Sequence, residues 1–404
     1  MTTQEKHTTD KVIQIIAAFE KAQLPKFEEH KRYEYVPYGA NNSFPSVLKA
    51  LFLSSSLHNS ICNTKITDIV GNGIERDDLN ESTISFIDKK NRFGDTIEDV
   101  LEKCSFDFVI YGGYSLNVIW SRDRQTISEI SHINFAQIRS GKMNGEKQVT
   151  NYFYSDNWGG RRPAFKEIPA FNEKTKEEFP SQLLYFKNSD EYYPYPSYAG
   201  SLASIETDAE ISNFHLSNIK NGMSPSMIIN FPTGTPTIEE RKKIKKQLSD
   251  QYDGSSNTGK KIITYSDGTD AAPTVTTLAA SQLDKQFIQL KDSVLQNILS
   301  GHSVVSPMLV GIPSPVGLGG TTILRESWQL YNARVIQPLK TKLLKSFNRI
   351  FEVNSLQEIE TLTNSPIEFT FSESVLSQIL TQTELRAMIG YEPLTEDQIT
   401  KQPE

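Results

Sequence analysis

Cysteine is nearly absent. The 404 residues hold two, Cys62 and Cys104, far apart and without a CxxC spacing. That excludes a disulfide framework and leads us to expect two buried thiols in a reducing compartment. No apolar run approaches the ~20 residues that span a bilayer. The opening residues Met1 to Asp10 are polar and lack the apolar core of a signal peptide, so an intracellular product outside the membrane is expected. Excess positive charge is missing too: 42 Lys and Arg stand against 49 Asp and Glu, a net charge of −7. This argues against a protein that coats nucleic acid, though not against one that surrounds DNA without gripping it.

Catalytic signatures are equally scarce. The six histidines, His7, His30, His58, His132, His215 and His302, never fall four apart from one another and are read as having neither a neighbouring Cys nor an HExxH context. They read as ordinary surface or core residues, so neither a metal nor a cofactor is expected. Gly113 to Asn117 misses the G-x-S-x-G nucleophile elbow at its last position and reads as a glycine-rich entry into a strand. There is no internal repeat and no low-complexity tract.

The patterns that are present indicate an α+β protein. A short amphipathic helix around Val12–Phe19 and an aromatic, extended strap from Tyr33 to Asn42 lead into the first domain. Ser43 as N-cap and Pro45 open a helix through Phe52, and a second helix carries Leu57, Ile61, Ile66 and Ile69 before Gly71 stops it. Further helices are expected at 82–90 and 96–111, and strands at 114–120, 126–133, 150–154 and 183–187. The cluster Tyr192 to Tyr198, with Pro194 and Pro196, should be a rigid extended joint. A helix over 199–220 follows, with Ile205, Ala209 and Phe214 inward and Glu206, Asp208 and Glu210 near its start. Asn221 and Gly222 supply its stop. A strand at 226–231, a helix from Thr237 to about Tyr252 and a strand at 261–265 make a compact insert. Its helix carries the densest charge run of the chain: Arg241, Lys242, Lys243, Lys245 and Lys246. That run could touch phosphates or an acidic partner, or simply form a solvated flank.

A second long helix follows, with Leu283, Phe287, Leu290, Val294 and Ile298 three and four apart on one face. From Ser303 to Gly320 the chain has no charged side chain, being rich in Gly, Pro and Val. Loops this long are usually either functional or disordered. Thr321 and Thr322 then open a helix with Trp328, Tyr331 and Ile336 that meets Pro338. From Met308 to Thr322 the order resembles strand, glycine-rich loop and helix, as in a phosphate-binding loop. However, the lysine that would hold a triphosphate is missing: no Lys or Arg lies between His302 and Arg325. The last ~50 residues suggest a strand at 367–371 and a helix around 375–379.

Five local stretches in order resemble the portal proteins of tailed bacteriophages, in particular the shorter variety of long-tailed phages. They are Ile205 to Gly222 with its Asn-Gly end; Ser281 to Phe287; Val305 to Gly311; Val335 to Leu339; and Leu380 to Arg386 with Gly390. The resemblance spans about Tyr33 to Leu394. It implies a ring of subunits, twelve in the virion, around an axial DNA channel at one capsid vertex. The portal-type parts would be a wing (1–198), stem helices (199–222 and 278–300), a clip (223–277), a tunnel loop (301–321), a long kinked wing helix (322–352) and a crown (353–404).

The same resemblance implies double-stranded DNA, the terminase large subunit, head-completion adaptors and the major capsid protein or scaffold as partners. The virion, and the host cytoplasm during assembly, would be the location, and the chain would have no catalysis of its own. Tunnel-loop residues would be Ser303, Val304, Val305, Ser306, Val310, Gly311, Ser314, Val316, Gly317, Leu318 and Gly319. The five basic residues at 241–246 would dock a partner, and Glu206, Asp208, Glu210, Asp284, Lys285 and Lys291 would belong to the stem. Two other readings are a nucleotide hydrolase using 311–322 and a capsid-associated scaffold that forms no channel.

Overall fold

The structure is a computed structural model. It describes residues 24–39, 41–160, 163–220, three strands within 227–277, residues 239 and 243, 283–312 and 321–364. Contacts divide the chain into two compact units, Met1–Thr363 and Asn364–Glu404. The second, apart from Asn364, lies outside the described residues, as do the expected helix near Val12, strand at 367 and helix at 375.

The first unit begins with helices α1 (Phe44–Ser54) and α2 (Ser56–Val70). Pro45 sits in the first turn of α1, where its missing N–H costs nothing. Ser43 precedes that helix, but its side chain makes no capping bond. The cap falls instead on α2, where the Ser55 hydroxyl accepts from the His58 backbone N–H at 3.1 Å. Helix α3 (Glu81–Asp88) is capped by Asn80, and α4 (Ile97–Tyr111) by a reciprocal Thr96/Asp99 box.

Gly112 ends α4 in the left-handed conformation. A Cβ there would come within 2.5 Å of the Tyr195 carbonyl oxygen, so glycine is required on two counts. The chain then turns into β1 (Gly113–Trp120), the centre of an antiparallel sheet with β2 (Ile127–Ile133) and β6 (Ser181–Lys187). A second antiparallel sheet comprises β3 (Ile138–Ser140), β4 (Asn151–Tyr154) and β5 (Lys166–Pro169). Two of these strands, β3 and β5, are too short to show an alternating pattern in sequence.

The tyrosine–proline cluster is an anchor more than a joint. Tyr193 and Tyr198 are fully buried. Tyr193 stacks on Tyr38 at 3.9 Å and donates to the Val36 carbonyl. Tyr198 donates to the Ile110 carbonyl at 2.7 Å. Strap, cluster and α4 are thereby one packed body.

Helix α5 (Leu202–Lys220) leaves that body, and α6 (Leu283–Gly301) returns to it, packed along α5. Between them in sequence lies a third sheet, with β7 (Met227–Phe231) in the centre. β8 (Lys261–Tyr265) pairs with it in parallel and β9 (Thr274–Thr277) antiparallel. A parallel pair needs a long crossover, which suits the expected helix there; Glu239 and Lys243 are helical. The third strand, β9, was not legible beside Pro273.

After the loop, α7 (Thr321–Tyr331) continues through a π-helical turn at Asn332–Ile336 into α8 (Gln337–Val353). Pro338 explains the widening. It lacks an N–H, and its ring would clash with the carbonyl four residues back in a regular helix. Leu343, Phe347, Ile350 and Phe351 of α8 belong to the same core as α1, α2, α4 and β1. The Tyr114 hydroxyl donates to the Leu343 carbonyl at 2.8 Å.

Residues 354–363 stay with this unit. Glu75 N–H donates to the Glu360 carbonyl at 2.9 Å, and Leu362 N–H to the Gly73 carbonyl at 2.9 Å. This return strand crosses directly over Gly71, which has φ +64°, and a Cβ there would lie 1.8 Å from the Leu362 carbonyl oxygen. Gly71→Ala should therefore destabilise the fold by about 3 kcal/mol or more, the sum of backbone strain and a backbone clash. Thermal unfolding of the variant would check this, and an unchanged midpoint would contradict it.

Candidate functional site

The elements of interest are α5, α6 and the loop that follows. On α5, Leu202, Ile205 and Ala209 are buried as a helical stripe, and Ile211 is buried on another face. Glu206 and Asp208 are half-buried and Glu210 is exposed. Burial first, and then Glu210, raise the Glu206 carboxyl above its usual range. The carboxylate of Asp208 accepts from the Ser55 hydroxyl at 2.7 Å, so this acidic residue clasps the cap of α2. Phe214, expected inward, is 44% exposed in the single chain. It stands nine residues on from Ile205, half a turn round the helix from that buried side chain.

The apolar stripe of α6 divides in the same way. Val294 and Ile298 are buried, whereas Leu290, one turn further out, is 41% exposed. Leu283 and Phe287 have side chains outside the described residues, as do Asp284 and Lys285, although all four lie within the helix. Lys291 is exposed. Where α6 re-enters the core, Gly301 lies against Ser201; a Cβ would meet its Oγ at 2.3 Å.

Helix α6 ends in a Schellman motif. Val304 N–H reaches back to the Leu299 carbonyl at 2.9 Å and Ser303 N–H to the Ser300 carbonyl at 2.9 Å. Ser303 takes the left-handed conformation that glycine usually takes there. Val304 and Leu299, which touch in such a motif, are both buried.

The uncharged loop is half pinned. Val304 and Val310 belong to the core, and the Val310 carbonyl accepts from the Ser60 hydroxyl of α2 at 3.2 Å. Neither valine can face a channel, contrary to their expected place there. Val305 is 44% exposed, Ser303 and Gly311 are exposed, and Ser306 is half-buried. Ser314, Val316, Gly317, Leu318 and Gly319 lie outside the described residues, as do Arg241, Lys242, Lys245 and Lys246; Lys243 is exposed.

The resemblance to a phosphate-binding loop fails at its first element. Pro307–Val310 is a single 3-10 turn, not a strand, and Gly311 closes it with φ +76°.

Four residues that sequence reading treated as unremarkable come together beside this loop. His58, Cys62 and Lys65 lie on one face of α2, and His302 closes α6; all are buried. His58 Nδ1 stands 2.9 Å from His302 Nε2, and Lys65 Nζ 3.2 Å from His302 Nδ1. Burial, with Lys65 adding to it, lowers the His58 imidazole to about 3 and drives that of His302 lower still. Desolvation likewise lifts the Cys62 thiol to about 12 and lowers the Lys65 ammonium to about 8. The expectation that no histidine has a neighbouring cysteine is corrected here: the i,i+4 spacing of His58 and Cys62 on α2 was the available signal. The fold alone brings in His302.

An α+β body, two long paired helices enclosing a small sheet in sequence, and a loop leading to a helix with a π turn define the class. The family described as Phage portal protein matches residues 71–397, most of the chain, and the chain belongs to that family, a structural rather than a catalytic one. Among solved structures, a chain of "Virion of native gene transfer agent (GTA) particle" is similar at 13% identity and TM-score 0.53, covering 96% of this chain and 99% of that one. A chain of "Neck of native GTA particle computed with C12 symmetry" is 15% identical with TM-score 0.50, covering 86% and 94%. An HK97 family phage portal protein from Corynebacterium diphtheriae is 9% identical with TM-score 0.43, covering 75% and 89%. No curated protein matches the sequence.

The Ser55 clasp gives a direct test of how α5 is held. Ser55→Ala removes both the cap of α2 and the hydrogen bond to Asp208, and should cost about 1–2 kcal/mol. Ser55→Thr, which keeps the hydroxyl, should recover most of it. Equal melting of all three proteins would show that the clasp holds nothing.

Proposed function

We propose that this portal protein is the subunit of a ring that conducts double-stranded DNA at one vertex of the capsid during packaging, head–tail joining and ejection. The observation that carries the reading is the pairing of α5 and α6 with the loop that follows them, which from Ser303 to Leu324 lacks any Lys or Arg. Each phosphate–cation contact adds a salt-dependent grip on DNA. A constriction that must let DNA slide is better built from valine, serine, glycine and proline.

In this reading α5 and α6 are the stem, the β7–β9 sheet is the clip, and the body with α8 is the wing. The crown begins after Thr363, and residues 303–320 are the tunnel loop. Its DNA-facing residues in the first half are Ser303, Val305, Ser306 and Gly311, together with the glycine-rich stretch beyond. Stem residues Glu206, Glu210, Asp284, Lys285 and Lys291 set the charge along the helices. Asp208 is a tether to the wing.

Arg241, Lys242, Lys243, Lys245 and Lys246 of the clip form the docking surface for the terminase large subunit and, later, for head-completion adaptors. The wing meets the major capsid protein or scaffold. Assembly takes place in the host cytoplasm and the product resides in the virion. The work is mechanical, with no catalysis by this chain.

Val305→Lys places one cation per subunit at an exposed loop position without disturbing the core. DNA protected from nuclease inside filled heads should fall about tenfold, with partial recovery at higher salt. Undiminished packaging would show that Val305 does not face the moving DNA.

A further inference from the structure

The buried cluster at the junction of α2 and α6 is over-supplied with metal-ligating atoms and under-supplied with hydrogen bonds. His58 Nδ1 is 2.9 Å from His302 Nε2 and 3.6 Å from the Cys62 sulfur, and the donor atoms of all three residues lie within 4.8 Å of one another. The thiol is a weak hydrogen-bond donor, and its contact with the other nitrogen of His58 is 3.8 Å.

Two further observations point into the same space. The Tyr331 hydroxyl is fully buried and has no hydrogen-bond partner among the described residues; burial first, then Asp68 and Cys62, raise its pKa. Lys65 is buried with the His302 ring as its recorded partner, not a carboxylate.

We propose that His58, Cys62 and His302 form a structural binding site for a thiophilic transition-metal ion of the zinc class. A tetrahedral ion with nitrogen ligands at about 2.1 Å and a thiolate at about 2.3 Å sets neighbouring N and S atoms about 3.6 Å apart and neighbouring nitrogens about 3.4 Å apart. The 3.6 Å separation between the Cys62 sulfur and His58 Nδ1 already meets this requirement. The two rings need to part by about 0.5 Å, and the sulfur and the His302 nitrogen, which lie within 4.8 Å, need to close on one another.

Protons balance the charge. Cys62 loses its thiol proton on forming the metal–sulfur bond. His302 gives up the proton on Nε2 and takes one on Nδ1 from Lys65, which is left as a neutral amine. Two protons leave as one dication enters, so the buried cluster carries one positive charge before and after. Lys65 then orients the His302 ring from behind, as outer partners of ligating histidines do. The ion would tie the end of α6, immediately before the loop, to α2 of the body. The site is independent of the portal reading, since it rests only on residues within one subunit.

The test is metal analysis of full-length protein, purified without chelator from zinc-supplemented cells, alongside Cys62→Ser and His302→Gln. About one zinc per chain is expected in the wild type and less than about a tenth in either variant. Because either variant could fold poorly, the wild type also serves alone. Stripped with chelator and titrated with Co²⁺, it should take up about one equivalent and show a thiolate-to-cobalt charge-transfer band. Wild-type protein that is folded, free of zinc and silent to Co²⁺ would overturn the proposal, leaving the cluster a hydrogen-bonded core. A ring lacking metal would refute this inference and leave the proposed function standing.

Discussion

Everything outside the body hangs on two places where long helices cross the core boundary. At one, α5 departs with Ile205, Ala209 and Ile211 buried and Asp208 held by the Ser55 hydroxyl. At the other, α6 arrives with Val294, Ile298 and Leu299 buried, and Gly301 lets its last turn press against Ser201. Because both crossings share one core, the angle of the helix pair and the start of the loop are set together. The Schellman end of α6 then directs Val304 inward and Val305 outward. The exposure of Val305 is thus a consequence of how the helix terminates.

The outer halves of the two helices obey a different logic. Phe214, Leu216 and Leu290 are exposed in the single chain, each lying on a helix whose inner half is well packed. Apolar side chains on a helix that has left its own core are suited to burial by neighbouring subunits, as a ring would supply. In the proposed ring, the inner halves pack on the body and the outer halves on copies of the same chain.

Much of this was legible in the sequence where the determining forces are local. The stop at Gly71, the helix over 96–111 and the apolar spacing in α2 are short-range signals, and the structure carries each of them; of the stripe expected in α6 it buries Val294 and Ile298 and exposes Leu290. Features set by distant contacts were not. The strands β3, β5 and β9 have three or four residues, too few for a period. Phe214 was expected inward, but nine residues on from Ile205 it stands half a turn round the helix from the buried stripe, and it is exposed. The π turn before Pro338 reflects a conflict between proline and the helix ladder, and sequence shows only its cause. For the loop, the absence of charge was readable, while the burial of Val304 and Val310 depends on α2. His58, Cys62, Lys65 and His302 illustrate the limit most clearly: three share a helix face, and the fourth arrives only through folding.

The account's central claim is that this chain closes into a ring around DNA, and electron microscopy of the purified protein measures that directly. It predicts closed rings with a central opening wide enough for a DNA duplex, with the uncharged loop at the narrowest level. A population of monomers and dimers, or closed particles without an opening, would contradict it.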